Sequence, residues 1–425
     1  MAFDLMIGRI SNLRSDENAV YKPNRSSKGS KMESITQAVV LAAGRGERLY
    51  PLTAKRPKVM LCVANKPILE YVIDALSSSG IIDLIIIVGY YSEKVQEYFG
   101  SGANFGVNIR YLKQDSQLGT SHALSVASEL LEDHFLVVPA DNIIDADILS
   151  NIHTTSRNAA LLVSNTMGSQ YGVAMVKNDC VLGILEKPEG VETGLVSTGI
   201  YKFSNEIIPY VLDELDLPTA INRFINDGFE VTAVRGHGIW SDAIDASDLI
   251  HVNAEVSTKI EPRLAGTIED GVYITGNVSI GINSIIRSGC YLVGPVIVGD
   301  GCEIGPNSVL MPYSSLGHQV TVEAFGLIKN SIIGNSVHIK SHSSVIDSVI
   351  LHGCSFGSFF HASAGPNIYN SESSERNVNL GAVVGESVRV GSHVTIEAGC
   401  HIGPDTRIGS NNIVRNSVPA NTLIL

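Results

Sequence analysis

Between Ala38 and Lys58 the chain reads AVVLAAGRGERLYPLTAKRPK, an apolar, partly β-branched run that breaks at Gly44 into a loop carrying Arg45, Gly46, Arg48 and finally Lys58. This pattern describes a buried strand ending in a cationic loop. Glycines let backbone N–H groups approach an anion, and arginine and lysine add charge-assisted bonds to phosphate oxygens, so the loop can cradle a polyphosphate. The dinucleotide fingerprint needs a third glycine where Leu49 stands, and the Gly-Lys-Ser/Thr of the mononucleotide P-loop is missing, so this is a cradle of another kind. Asp141, in VVPADN, ends a second apolar strand. A carboxylate there is costly unless balanced, so a cation is expected beside it. Gln114 opens QDSQLGTSHA; its amide offers a donor and an acceptor, as the imide edge of uracil requires. The same segment also reads as an ordinary turn from strand to helix.

These residues need a scaffold that brings them together. Leu69, Val72, Ile73 and Leu76 recur at helical spacing between Pro67 and Gly80. A strand from Leu84 to Val88, a helix in SEKVQEYFG, a strand from Asn108 to Leu112, a helix from Ser121 to Leu131 and a strand from Phe135 to Val138 follow. Such alternation predicts a parallel α/β sheet with helices on both faces. Gly44, Gln114 and Asp141 all fall at carboxyl ends of its strands, where ligands of such sheets bind. Further on, YGVAMV and GILEKP predict a hairpin carrying Tyr171, Gly172, Glu186 and Lys187, and STGIYKF supplies Ser197, Thr198 and Gly199.

From residue 265 the period changes. Ile268, Ile274, Ile280, Ile286, Leu292, Val298, Ile304, Leu310, Leu316, Val322 and Ile328 recur every six residues, often followed by glycine. One aliphatic per hexad stacks short strands into a parallel β-helix around an aliphatic ladder. The frame slips near Ile333, breaks between Gly357 and Leu380, where GPNIYNSESSERN reads as an excluded loop, and resumes at Val384.

The length of 425 residues implies at least two domains. A formal charge of −13 argues against a nucleic-acid partner and leaves room for a small anion at a local basic loop. Unbroken apolar stretches such as Leu84–Val88 are far too short for a membrane span. The cysteines at 62, 180, 290, 302, 354 and 400 form no CxxC pair, which fits reduced thiols and a cytoplasmic protein. Residues 1–34 are polar, mixed in charge and without a signal-peptide core, and read as a disordered extension whose loss, by a start at Met32, changes little.

GxGxRLxPLTxxxPKxxxxVxxKP, from Gly44 to Pro67, resembles the signature of the sugar-1-phosphate nucleotidylyltransferases. The resemblance implies that Leu41, Ala42, Ala43, Gly44, Gly46, Gln114, Gly119 and Thr120 bind the nucleotide. It also implies that Arg48 meets the triphosphate, Lys58 the reacting phosphates, and Asp141 with Asp242 a Mg²⁺ ion. Gly172 and Glu186 would contact sugar hydroxyl or acyl groups, Lys187 the sugar phosphate, with Ser197 and Thr198 beside them. The chain departs from the family at Ala140, where a methyl replaces glycine on the nucleotide's expected path, at Ser197 for asparagine, and at Ile244 for glycine. The glutamine and Gly-Thr pair look like those of uridine or thymidine users.

The repeats resemble the left-handed β-helices of acyltransferases, and residues 37–425 together are similar to archaeal two-domain proteins that join a uridylyltransferase to a glucosamine-1-phosphate acetyltransferase. Their β-helices commonly trimerise. Of the acetyl-transfer residues, His342 in SHSSVID matches the histidine base and Lys329 one lysine. Val345 stands for the tyrosine, Met311 for an arginine, and GSFFHAS for the Gly-Ala-Gly-Thr stretch, so the second domain is expected to acetylate weakly or not at all, with His342 a base or a turn residue.

The expected fold is an α/β nucleotidyltransferase domain with a Rossmann-like mixed sheet over residues 35–256, followed by a left-handed parallel β-helix over 257–425. The expected reaction is Mg²⁺-dependent nucleotidyl transfer from UTP or dTTP to a sugar 1-phosphate, N-acetylglucosamine 1-phosphate by preference, in a homotrimer that uses acetyl-CoA only if the second domain is active. Competing readings are a bifunctional enzyme, a glucose-1-phosphate thymidylyltransferase, a mannose-1-phosphate guanylyltransferase, and a regulatory subunit without catalysis. Retention of Arg48, Lys58, Asp141 and Asp242 argues against the last.

Overall fold

The strand Gln37–Ala42 lies between Asp83–Val88 and His134–Pro139, parallel to both, in a computed structural model. The structure describes residues 35–425 apart from 154, 156–157, 166–169, 191–192 and 372–373, so the amino-terminal extension lies outside the described residues. LIIIV and FLVV are buried along their whole length, the pattern of parallel strands covered on both faces. The helix Ile68–Ser78 turns Leu69, Val72, Ile73 and Leu76 inward and is followed by Gly80 at φ +79°. The helix expected from Ser121 to Leu131 runs only from Thr120 to Ser125. Beyond it Ala127 N–H bonds back to Leu124 O and Leu130 N–H to Ala127 O, the tighter i→i−3 spacing, and Leu131 is already extended.

The sheet grows to nine strands by adding Asn108–Lys113 parallel to Asp83–Val88 on one side and, on the other, Gly194–Ser204 antiparallel to His134–Pro139, then Ala159–Asn165, Thr232–Arg235, Cys180–Glu186 and Gly172–Lys177. It is therefore a mixed sheet. The expected hairpin forms, with Gly172 paired to Glu186. A separate two-stranded ribbon pairs Asn142–Ile144 with Trp240–Asp242.

From Arg263 onward short strands stack in three parallel sheets of eight, nine and eight strands, a left-handed parallel β-helix. Each strand pairs with the one a full coil later, Val278 with Val296 and Val298 with Leu316. The hexad aliphatics from Ile280 to Ile328 are at most 1% exposed. The slip in the frame is one residue dropped at a corner, so that Leu316 pairs with Ile333. Buried serines close the shortened corner: Ser331 Oγ donates to Lys329 O, Ser348 N–H donates to Ser331 Oγ, and Ala382 N–H donates to Ser348 Oγ. The excluded loop is an antiparallel hairpin of Gly365–Ser371 with Ser374–Leu380. Corner residues adopt the left-handed region coil after coil, among them Asn307, Phe325, His342, Phe359 and His393.

The helix Ala246–Ser257 joins the two parts, opened by a capping box of Asp245 with Asp248. Its Asn253 is fully buried, accepts from Ala64 N–H and Ser315 Oγ, and donates to Tyr313 O. No helix among the described residues is long and apolar enough to cross a membrane.

Candidate active site

The loop after the first strand turns at Gly46, whose φ of +66° suits glycine, and a Cβ there would lie 2.8 Å from Lys58 Cβ. Thr53 Oγ1 donates to Gly46 O at 2.9 Å and holds the turn closed. Lys58 itself, in the short 3₁₀ turn Lys58–Met60, is nearly buried. Its Nζ lies 2.8 Å from Asp141 Oδ2 and 2.9 Å from Asp242 Oδ1. The ribbon brings these carboxylates to one point, since Asp242 pairs with Asn142, the neighbour of Asp141. Burial alone would lower the lysine pKa, but the two carboxylates outweigh it and hold the group protonated well above its ordinary range. Burial pulls Asp141 upward and Lys58 overrides it, leaving that carboxyl below its ordinary range. At Asp242 burial, with the charge of Asp141 added, wins over Lys58 and leaves it raised.

These groups open on a cavity of about 1050 Å³ at the carboxyl ends of the parallel strands. Leu41, Ala42, Ala43, Gly44, Gly46, Arg48, Gln114, Gly119 and Thr120 are among the residues that line it. Arg48 is exposed there and makes no ion pair with the described residues. Gln114 is buried, and its Nε2 is already 3.2 Å from Gly119 O and 2.8 Å from His122 Nδ1. The amide is thus oriented from behind, and its oxygen accepts no hydrogen bond from the described residues. Gly119, at φ +128°, passes so close to Leu215 O that no Cβ fits, and Thr120 Oγ1 accepts from Leu217 N–H. Ala140 does not crowd this path. Its methyl is fully buried in the core with Val138 and Ile144, because Ala140 N–H continues the ladder to Leu41 O and faces the side chain away from the cavity.

Residues 37–259 match the family model described as Nucleotidyl transferase, and residues 292–395 match the one described as GMPPB C-terminal domain. Over 91% of its length the chain is 32% identical to the "Bifunctional protein GlmU" of Methanococcus maripaludis strain C5, covering 96% of that protein. The chain belongs to the sugar-1-phosphate nucleotidylyltransferase family. It is 34% identical to the "Bifunctional sugar-1-phosphate nucleotidylyltransferase/acetyltransferase" of Sulfurisphaera tokodaii over 90% of this chain and 98% of that one. A "Glucose-1-phosphate thymidylyltransferase" of Streptomyces antibioticus is 34% identical over 66% and 82%. The protein is an enzyme of nucleotidyl transfer to a sugar 1-phosphate.

The lining of the nucleotidylyltransferase cavity also includes Gly172, Glu186, Lys187, Ser197 and Thr198. A Cβ on Gly172 would lie 3.1 Å from Glu186 Oε2, so glycine leaves that carboxylate room. Burial raises the Glu186 pKa, Lys187 partly offsets this, and Asp216 adds to it. Lys187 turns out of the hairpin at φ +42°, its N–H donating to Tyr171 O. Ser197 Oγ meets Tyr201 Oη at 2.7 Å. Thr198 Oγ1 is committed to backbone, donating to Leu161 O and accepting from Ile200 N–H, where the strand register shifts between Ser197 and Tyr201. The residues missed from sequence are Gln117, whose Nε2 donates to Ala43 O and ties two loops, and Trp240, whose ring meets that of Tyr171 edge to face at 5.0 Å. A second glutamine three residues after Gln114 was the available signal for the first.

His342 and Lys329 lie apart from this cavity, on the β-helix. The His342 imidazole is stacked between Phe325 and Phe359, at centroid distances of 4.8 and 4.9 Å and interplanar angles of 8° and 4°. His393 continues the column beyond Phe359 at 4.7 Å. Lys329 is exposed at the end of the strand Leu327–Lys329.

Proposed function

We propose that the enzyme transfers a uridylyl or thymidylyl group to N-acetylglucosamine 1-phosphate and releases pyrophosphate. The observation that carries this reading is the meeting of Lys58 with Asp141 and Asp242 in one cavity whose lining includes Gln114, Gly119 and Thr120 as well as Gly172, Glu186 and Lys187. Both reactants are anions, so the protein's work is to hold them together and neutralise charge as the sugar phosphate oxygen attacks the α-phosphorus. Arg48 would hold the triphosphate, Lys58 the reacting phosphates and Lys187 the sugar phosphate, while Glu186 accepts from sugar hydroxyls. At the base, Gln114 oxygen would accept the imide N–H, and the Gly119 N–H, which donates to none of the described residues, would serve a ring carbonyl.

A divalent cation fits the donor set. Two carboxylates already meet around one positive charge, and the buried Asn142 Oδ1 beside them has no partner among the described residues. Asp141 and Asp242 would hold Mg²⁺, which when bound supplies charge neutralisation to the phosphates. The expected division into an extension over 1–34, a catalytic domain over 35–256 and a β-helix over 257–425, a homotrimer formed through that β-helix, and a cytoplasmic setting consistent with six free cysteines belong to the same proposal. The test is pyrophosphate release over a grid of UTP, dTTP and GTP with several sugar 1-phosphates; turnover fastest with GTP and mannose 1-phosphate would replace this reading. A second, acetyl-CoA-dependent activity is favoured by the name of the Sulfurisphaera tokodaii relative and opposed by the stacking of His342.

A further inference from the structure

Besides its internal turns and the bond from Tyr90 Oη to Ala54 O, the loop that carries Lys58 is held by the β-helix. From Tyr50 to Asn65 it lies along the β-helix, which touches it repeatedly. His401 Nδ1 is 3.1 Å from Tyr50 O, Lys55 Nζ is 2.6 Å from Asp405, and Asn65 Nδ2 donates to Leu316 O at 2.5 Å. Arg56 donates through Nε and Nη2 to a single oxygen, Glu386 Oε1, at 2.7 and 2.6 Å, and its Nη1 is 2.7 Å from His352 Nε2. Beneath these polar contacts Leu52 and Leu61 share one apolar core with Ile332, Val349 and Val383 of the β-helix.

These contacts differ in weight. Lys55 and Asp405 are 37% and 40% exposed, so water and salt screen them. Arg56 and Glu386 are only 13% and 16% exposed, and His352, its pKa pushed down to about 3 by burial and by the charges of Arg56 and Lys94, stays neutral. Glu386 is therefore the anion that balances Arg56, and without it a cation is left largely out of water. The link from Arg56 to Lys58 is short and stiff. Pro57 lies between them at φ −72°, Met60 N–H bonds to Pro57 O, and Leu61 N–H bonds to Lys58 O.

We propose that Glu386, on the β-helix, is a positioning residue for nucleotidyl transfer: through Arg56 and Pro57 it fixes the turn that sets Lys58 Nζ between Asp141 and Asp242. The proposal rests on the reading above that Lys58 meets the reacting phosphates. It makes the β-helix part of the transferase site as well as a second domain.

The test compares Glu386→Gln with the full-length wild type and with Arg287→Ala, which removes an ion-paired cation on the β-helix surface bonded to Glu269 and Glu303. Steady-state pyrophosphate release and amide hydrogen exchange are both measured. Glu386→Gln is expected to lower kcat about tenfold, as misplacement of a charged group does. KM for the sugar phosphate should stay within about twofold. The amides of Met60 and Leu61 should exchange faster while those of the β-helix strands keep their protection. Arg287→Ala should match the wild type in both. Arg56→Lys, which keeps the charge and loses the two-pronged bond, should give an intermediate loss, and it serves if Glu386→Gln does not fold. Wild-type kcat, or unchanged exchange at Met60 and Leu61, in Glu386→Gln (or in Arg56→Lys where that variant stands in) overturns the proposal. Faster exchange in Glu386→Gln where the wild type itself is inactive with every nucleotide and sugar phosphate would instead overturn the catalytic reading of Lys58 and leave the structural support standing.

Discussion

The cavity of the α/β part and the corner column of the β-helix both gather chemically capable side chains, and they do so in opposite ways. Lys58 reaches Asp141 and Asp242 across sequence separations of 83 and 184 residues, through elements that share no repeat. Phe325, His342, Phe359 and His393 meet because each occupies the same left-handed corner of successive coils. A repeat stacks like upon like without any demand from chemistry. Convergence of distant charges around a nearly buried lysine costs desolvation and persists where the charges are matched, so it carries more functional weight. Lys58, Asp141 and Asp242 are all displaced from their ordinary pKa values by burial and by one another.

The largest expected effect breaks the cavity's side of this comparison. Lys58→Ala and Arg48→Ala should each lower turnover by roughly 10² or more, as removal of one preorganised charge does. Both variants should keep the wild-type circular dichroism spectrum. Near-normal turnover in Lys58→Ala would mean that convergence alone is no guide here.

Nucleotide choice comes next. With Gln114 held from behind by Gly119 O and His122, its oxygen has one orientation to offer, and UTP or dTTP should exceed GTP in kcat/KM by at least about tenfold. Competition assays with the three triphosphates measure this, and a preference for GTP would overturn the reading of that edge.

How far the two regions could be read from sequence differs for the same reason. The hexads from Ile280 onward were legible because a repeat announces its core one residue at a time, and their burial follows the ladder. The loop's glycines and cations pointed to the cavity that Gly44, Gly46, Arg48 and Lys58 line, whereas Arg45 lies over the Tyr90 ring instead. What escaped depends on packing between distant segments. Nothing near Ala140 in sequence tells that its methyl faces the core, and nothing near Thr198 tells that its hydroxyl is tied to Leu161 O. The early end of the helix at Ser125 and the docking of Arg56 on Glu386 are likewise set by partners far along the chain. His342 matched a motif position, and only the stacked rings around it show what a corner residue does there.

A smaller effect concerns the cation. Asp141→Asn and Asp242→Asn should each raise the Mg²⁺ concentration needed for half-maximal turnover several-fold, since hard cations favour carboxylate oxygen. Titration of Mg²⁺ against pyrophosphate release checks it. Asp242→Asn with an unchanged requirement would make that residue a partner of Lys58 alone, and would narrow the convergence to a single carboxylate.

The smallest effect is expected at His342, and it sharpens the β-helix side. A ring held between two phenylalanines that are about half exposed contributes stacking, of the order of 0.5–1.5 kcal/mol for an aromatic pair, and surface exposure places it near the lower bound. His342→Ala should therefore lower the thermal midpoint slightly and leave nucleotidyl transfer unchanged. His342→Phe, which rebuilds the column, should restore the midpoint. A general base behaves differently, because phenylalanine carries no proton-accepting nitrogen. Acetylation of glucosamine 1-phosphate from acetyl-CoA, followed by thiol release, is expected to be weak or absent in the wild type. Robust acetylation lost equally in His342→Ala and His342→Phe would show that a stacked corner residue does chemistry after all, and the contrast between repetition and convergence would then fail at this position.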